Sequence, residues 1–220
     1  MAHNYVEKER EIRAKEAEAQ ALISLPEQNV TPAIKNKIAF LEAEVSRLRS
    51  ELREARRRVS ELIELADQDP LIEIMNRRAF IRELSRVMAS VERYDFEANL
   101  VYVDLNGLKV INDNHGHAAG DAVLKHVGET IGSQIRQTDA VGRLGGDEFG
   151  IILTHTSKEF SELKIDQLAR AISAKPMIWK NCALSISISY GVFPLVKGQA
   201  VEEALHNADR AMYEYKRAIG

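Results

Sequence analysis

Arg143-Leu-Gly-Gly-Asp-Glu-Phe149 decides the fold of this chain because of what stands on either side of it. Ala140–Leu144 and Phe149–Leu153 are short apolar runs of the kind that form strands, and the paired glycines between them allow a tight reversal. The stretch reads as a β-hairpin with Asp147 and Glu148 at its tip. Successive β residues point to opposite faces, so the two carboxylates are expected to play different parts. Gly145 and Gly146 also let a ligand approach the backbone closely. Taken alone, Gly-Gly-Asp-Glu reads better as a solvated acidic turn; the surrounding sequence gives it weight.

Upstream, Asn99–Asp104 (NLVYVD) is a β-rich run ending in a carboxylate, and it leads into Leu-Asn-Gly-Leu-Lys-Val-Ile-Asn-Asp-Asn-His-Gly-His-Ala-Ala-Gly-Asp121. A carboxylate at a strand end beside another at a hairpin tip suits Mg²⁺, which needs few protein oxygens and completes its shell with phosphate and water. Lys109 lies close enough in sequence to meet a phosphate. Gly120–Arg136 has helical phasing through Val123, Leu124, Val127 and Ile131. Downstream, Leu184–Val192 (LSISISYGV) alternates as one half-buried strand, and a final helix covers about 200–218. Strand and helix signals thus alternate through residues 67–220.

Residues 31–66 follow a different rule. Thr31 and Pro32 form an N-cap with proline at the first helical position. From Ile34 the apolar residues recur in unbroken steps of 4 and 3 as far as Ala66. With Ile38, Val45, Leu52 and Val59 at a, the d positions are Leu41, Leu48, Ala55 and Leu62, a pattern favouring two strands. In a parallel pair, g-to-e neighbours would be Lys37 with Glu42, Glu44 with Arg49, and Glu51 with Arg56, all opposite in sign. A parallel homodimer through residues 34–66 is therefore expected, on the order of 50 Å long. Residues 1–30 contain a charged helical stretch at 5–24 ended by Pro26, then a linker, and are a candidate site for an unknown protein partner.

Composition excludes several classes. The 30 basic and 33 acidic residues, net −3, argue against a nucleic-acid binder. No apolar run reaches the length that spans a bilayer, and the polar N-terminus lacks a signal peptide, so no membrane role and a cytoplasmic location are expected. The single Cys182 cannot form an internal disulfide and, lying in an apolar alternating stretch, is expected to be a small buried hydrophobe.

The hairpin and the Asp104 block together closely resemble the GGDEF family of diguanylate cyclases, over roughly residues 67–218. Agreement extends to Asn76-Arg77-Arg78 and to Ala208-Asp209-Arg210-Ala211-Met212-Tyr213 with Lys216. The resemblance implies an α/β (α+β) cyclase-type domain with a central, mostly antiparallel sheet flanked by helices, here preceded by the coiled coil. It implies that two GTP molecules are condensed to cyclic di-GMP with Mg²⁺ or Mn²⁺. Asp104 and Asp147 would hold metal by side chain and Leu105 by its carbonyl, with Glu148 as second metal ligand or as base. Asn112 and Asp121 would recognise guanine, and His117 either shapes that pocket or caps local backbone. Lys109 and Lys216 would contact the triphosphate, while Gly145 and Gly146 let it approach. Arg136-Gln-Thr-Asp139 fits the RxxD pattern of a product-inhibition site, which Arg143 is expected to join; Arg170 is a candidate for a contact from a partner domain.

Three departures stand out. Ile72-Glu73-Ile74 replaces the usual Thr-Gly-Leu, changing a turn at the domain entrance. Asn106 replaces a second aspartate common in the acidic block. The end, Lys216-Arg-Ala-Ile-Gly220, lacks a later arginine, for which Arg217 is a partial substitute. The competing readings are a catalytically weak domain serving as a cyclic di-GMP or GTP receptor and a pure coiled-coil scaffold. The scaffold leaves the guanine and metal positions unexplained.

Overall fold

The computed structural model describes residues 31–174 and 176–219, and the helix expected at 5–24 lies outside them. The chain forms two compact units divided at Glu61. The described part of the first belongs to helix α1 (Pro32–Asp67). As the proline suggested, the helix begins at Pro32, and the Thr31 carbonyl accepts the Ile34 and Lys35 N–H groups at 3.0 and 3.1 Å.

The apolar stripe of α1 is left uncovered: Ile34, Ile38, Leu41, Val45, Leu48, Leu52 and Val59 are each 40–55% exposed. Both g-position glutamates, Glu44 and Glu51, are bound by Arg47 of their own helix. These are solvent-exposed pairs within one helix, which hold their side chains only weakly.

The second unit is built on a four-stranded sheet from β1 (Ala98–Leu105), β2 (Ala140–Arg143), β3 (Glu148–Thr154) and β6 (Ile188–Pro194). Its order is β2-β3-β1-β6, and every neighbouring pair is antiparallel. Between β1 and β2 lie helices α3 (Leu108–His115) and α4 (His117–Gln134); α2 (Arg77–Tyr94) precedes β1, α5 (Lys158–Ala174) follows β3, and α6 (Val201–Ile219) closes the chain. Strand alternation sorts the core into two layers. Leu100 and Tyr102 of β1 face Phe80, Leu84 and Val87 of α2 and Ala208 and Met212 of α6. Val101, Val103 and Leu105 face Val123, Val127 and Ile131 of α4 and Ile165 and Leu168 of α5.

The alternating run 184–192 is not one strand. Leu184 ends β5 (Cys182–Leu184), which pairs with β4 (Met177–Trp179) in a separate two-stranded sheet, and the chain re-enters the main sheet only at Ile188. The break lets Ser187 turn to Asn106: the Ser187 carbonyl accepts the Asn106 N–H at 2.9 Å, and Asn106 Nδ2 donates to Ser187 Oγ at 3.2 Å. Ser189 Oγ donates to Asn106 Oδ1 at 3.0 Å, so the amide both gives and accepts, which an aspartate there would not. Cys182 corrects the expectation of a buried hydrophobe: on the short hairpin it is exposed.

The Ile72-Glu73-Ile74 departure also has a packing reason. Ile72 and Ile74 are buried while Glu73 stands in solvent. Ile72 lies against Gly128 of α4, where an added Cβ would meet its Cγ2 at 2.6 Å. Among the described residues, no helix is long and apolar enough to cross a membrane.

Candidate active site

Antiparallel register places the end of β1 against the hairpin tip: Asp104 is directly opposite Glu148, and the Leu105 N–H donates to the Asp147 carbonyl at 3.0 Å. Asp104, Glu148 and Tyr102 share the sheet face covered by α2 and α6. Lys216, near the end of α6, reaches this face and forms an ion pair with Asp104 Oδ1. Glu148 folds back beneath the turn, so close that a Cβ on Gly145 would lie 2.3 Å from its Oε2. Burial first, and then the neighbouring Glu148 carboxylate, push the Tyr102 phenol above its ordinary range.

Beside the tip opens a cavity of about 470 Å³ lined by Lys109, Asn112, His117, Asp121, Gly146 and Asp147, among others. Two helices bring these residues together. Asn112 is on α3 and Asp121 on α4, and Gly116 between them takes φ +82°, which only glycine adopts without strain. The Asn112 amide then lies across Gly120, whose missing Cβ gives it room. Asn112 Oδ1 is buried without a hydrogen-bond partner. A buried acceptor with no protein donor costs about 1–3 kcal/mol and is suited to a ligand N–H. Lys109 and His117 are exposed at the rim.

Among the described residues, no group of three or more His, Cys, Asp or Glu side chains is gathered as a metal cluster. The donor set nevertheless fits a hard divalent cation bound largely through substrate phosphate: carboxylates of Asp104, Asp147 and Glu148 on two hydrogen-bonded chain segments, with the Leu105 carbonyl adjacent.

Arg143 and the Arg136–Asp139 pair are in different places. Arg136 and Asp139 line a separate cavity of about 760 Å³ at the other end of β3, together with Thr154, Phe160 and Lys164. Asp139 accepts the Arg136 N–H at 3.0 Å and the Thr154 N–H at 3.1 Å, stapling this turn to the strand. Arg143 instead borders the cavity at the hairpin tip. Its Nε and Nη2 donate to the Gly145 and Gly146 carbonyls at 3.1 and 2.7 Å, and its Nη1 to Asp69 Oδ1 at 3.3 Å. Arg170 is exposed and pairs with Asp166 at 2.8 Å on its own helix, while Arg217 is exposed in the last turn of α6.

Sequence reasoning missed three contributors. Gly120 cradles Asn112, and Tyr102 stands behind Glu148. Asp69 is the third: it caps the entrance turn through the Leu71 and Ile72 N–H groups at 2.9 and 3.1 Å while holding Arg143. The alternation of β1 puts Tyr102 on the face of Asp104, a legible signal; the Asp69–Arg143 pair spans 74 residues and has none.

The family model described as "Diguanylate cyclase, GGDEF domain" matches residues 66–220. Diguanylate cyclase DgcP of Pseudomonas aeruginosa is 33% identical over 186 residues, covering 84% of this chain and 27% of that protein. Diguanylate cyclase TpbB of the same species is 34% identical over 154 residues, covering 69% and 35%. The chain thus spans about a third or less of the length of these curated relatives. Among solved structures, the coiled coil and GGDEF domain of Caulobacter crescentus DgcB in complex with c-di-GMP superposes with TM-score 0.73 at 25% identity, covering 81% of this chain and 95% of that one. Diguanylate cyclase SiaD of Pseudomonas aeruginosa, in complex with its activator SiaC, gives TM-score 0.73 at 25% identity, covering 98% and 83%. With the signature hairpin opposed to Asp104 across the β1–β3 ladder and the match running from residue 66 to residue 220, this chain belongs to the GGDEF-domain family of diguanylate cyclases.

Proposed function

We propose that the protein is a diguanylate cyclase that joins two GTP molecules into cyclic di-GMP as a parallel homodimer. The observation that carries this reading is the cavity beside the hairpin tip, where Asn112 Oδ1 lies buried and unpartnered near Asp121. Guanine presents a ring N–H and an exocyclic amine side by side. An amide oxygen and a carboxylate accept both, and adenine offers no such pair of donors. Lys109, on the rim of the same cavity, and Lys216 provide the cations that bind the triphosphate and offset charge as pyrophosphate leaves.

Asp104, Asp147, Glu148 and the Leu105 carbonyl would hold Mg²⁺, or Mn²⁺, which when bound supplies Lewis-acid stabilisation of the phosphoryl oxygens. The chain's own residues orient the nucleotide so that its α-phosphorus faces the 3′-oxygen of a second GTP. The 3′-oxygen–phosphorus bond forms, the bond to the β-phosphate oxygen breaks, and pyrophosphate departs; a second such step closes the ring. Glu148, next to Asp147, would take the 3′-hydroxyl proton or serve as a further metal ligand.

One domain offers one guanine cavity, so the reaction needs a second copy facing the first. The uncovered heptad stripe on α1 supports a parallel coiled coil as the device that supplies it, raising the effective concentration of the second half-site towards the mM range. The cavity lined by Arg136 and Asp139 supports product inhibition, with arginine as the fork that meets guanine edges or phosphate. Residues 1–30 are assigned to a protein partner, a reading supported by the likeness to a cyclase solved with its activator.

The test is incubation of the purified protein with GTP and Mg²⁺ followed by nucleotide chromatography. Cyclic di-GMP and pyrophosphate should appear, and Asp147→Ala should abolish them while leaving the circular dichroism spectrum unchanged. GTP bound without turnover would overturn the enzyme reading and assign the domain as a nucleotide receptor.

A further inference from the structure

Lys216 and Asp104 lie 112 residues apart and meet at the one place where the chemistry assigned to each is incompatible with their contact. Asp104 is the strand-end carboxylate assigned to the divalent cation, and Lys216 is assigned to the triphosphate. An ammonium seated on Asp104 Oδ1 places a positive charge where an entering cation would have to bind. The two ions repel each other and compete for the same oxygen, within a site whose protein groups screen them less than bulk water does.

The surroundings explain why the pair forms. Asp104 is only 15% exposed in its side chain and stands across the ladder from Glu148, so a second carboxylate lies on the same sheet face. Of the nearby cations, Arg143 is engaged with Asp69 and the glycine carbonyls, and Lys109 borders the adjoining cavity. Lys216, by contrast, is 43% exposed, carries a flexible four-carbon stem and lies in the last turn of α6. It can leave Asp104 without moving any backbone.

We propose that Lys216 couples metal binding to nucleotide binding: it neutralises Asp104 until a triphosphate draws its ammonium away and opens the carboxylate to the cation. This rests on the metal site of the proposed function. Because coupling between two ligands is reciprocal, nucleotide tightens metal binding by the same factor as metal tightens nucleotide binding. The lysine therefore disfavours a metal-loaded site that holds no GTP.

The experiment measures Mn²⁺ binding to the full chain by electron paramagnetic resonance of the free ion. It is done with and without a GTP analogue carrying a methylene α,β-bridge, after subtracting the Mn²⁺ held by the analogue alone. In Lys216→Met, nucleotide-free Mn²⁺ affinity should rise roughly tenfold, and the gain on adding the analogue should shrink by a similar factor. Lys216→Arg, which keeps the charge, should stay close to the wild type. Unchanged nucleotide-free affinity in Lys216→Met, with Mn²⁺ binding still lost in Asp104→Asn, would overturn the coupling and leave the metal site standing. Mn²⁺ binding that does not depend on Asp104, even with the analogue present, would overturn the metal site and the coupling with it.

Discussion

Gly120→Ala separates stability from recognition, because the two should move in opposite directions. Gly120 is four residues into the α4 register, where alanine is favoured over glycine by about 1 kcal/mol. A helix property alone therefore predicts a more stable protein. The added Cβ, however, would be 2.0 Å from Asn112 Oδ1 and 2.9 Å from its Cγ. Real Cβ contacts essentially never fall below 3.0 Å, so the amide must retreat by about 1 Å. It is the free end of a side chain, which yields without disturbing the backbone, so the cost falls on the position of the amide rather than on the fold. A displacement of about 1 Å in a recognition group costs on the order of 100-fold, and one good hydrogen-bonded base contact is worth about 1–3 kcal/mol. The expected result is an unchanged or slightly raised melting temperature with GTP affinity reduced roughly 10- to 100-fold. Isothermal titration with the non-reactive analogue measures the affinity, and ATP analogue as competitor reports lost discrimination. Wild-type affinity and base preference in a well-folded Gly120→Ala protein would refute Asn112 as the guanine acceptor.

Two further outcomes follow from the same geometry. Arg143→Ala removes a largely buried partner of Asp69 together with the donors to the Gly145 and Gly146 carbonyls, so urea unfolding should show a loss of about 1–3 kcal/mol and steady-state assays a reduced kcat. Arg143→Lys should not restore it, since a single ammonium lacks the fork that bridges both sides. The double substitution Leu48→Lys with Leu52→Lys puts charge on adjacent d and a positions that are about half exposed in the single chain. Sedimentation at micromolar concentration should then give monomer, with specific activity falling steeply on dilution while the melting of the second unit stays unchanged; a dimer that persists would refute the heptad interface.

What could be read beforehand followed from local rules. Thr31-Pro32 marks where α1 starts, and the β-rich run Asn99–Asp104 and the apolar hairpin arms identify the strands whose pairing brings Asp104 to the tip. The regular pattern at 184–192 misled because alternation reports burial on one side and carries no information on which strand is the neighbour. Leu184 and Ile188 are both buried, yet they belong to different sheets. Cys182 misled in the same way, since an edge position on a two-stranded sheet leaves it exposed. Arg136 and Arg143 border different cavities, because β2 separates the turn at 136–139 from the hairpin tip. The cradle at Gly120 and the Asp69–Arg143 pair were hidden for another reason: each arises from tertiary packing.

That last pair constrains how the site can work. Asp69 holds the entrance turn through two backbone N–H groups and holds Arg143 with the same oxygen, while Arg143 holds both glycine carbonyls of the tip. Immediately upstream, the Ala66 carbonyl at the end of α1 accepts Asn76 Nδ2 at 2.7 Å and Arg78 Nη2 at 2.9 Å, and Asp67 pairs with Arg82. The last turn of α1, the entrance turn and the signature hairpin are therefore joined by consecutive hydrogen bonds, most of them to backbone atoms that cannot reorient one at a time. The Leu105–Asp147 bond fixes the hairpin in turn to the strand bearing Asp104. A rotation of the α1 end would have to break these bonds or carry the tip with it. If the carboxylates of this strand-and-hairpin site hold a cation as proposed, either outcome should change turnover before it changes the fold.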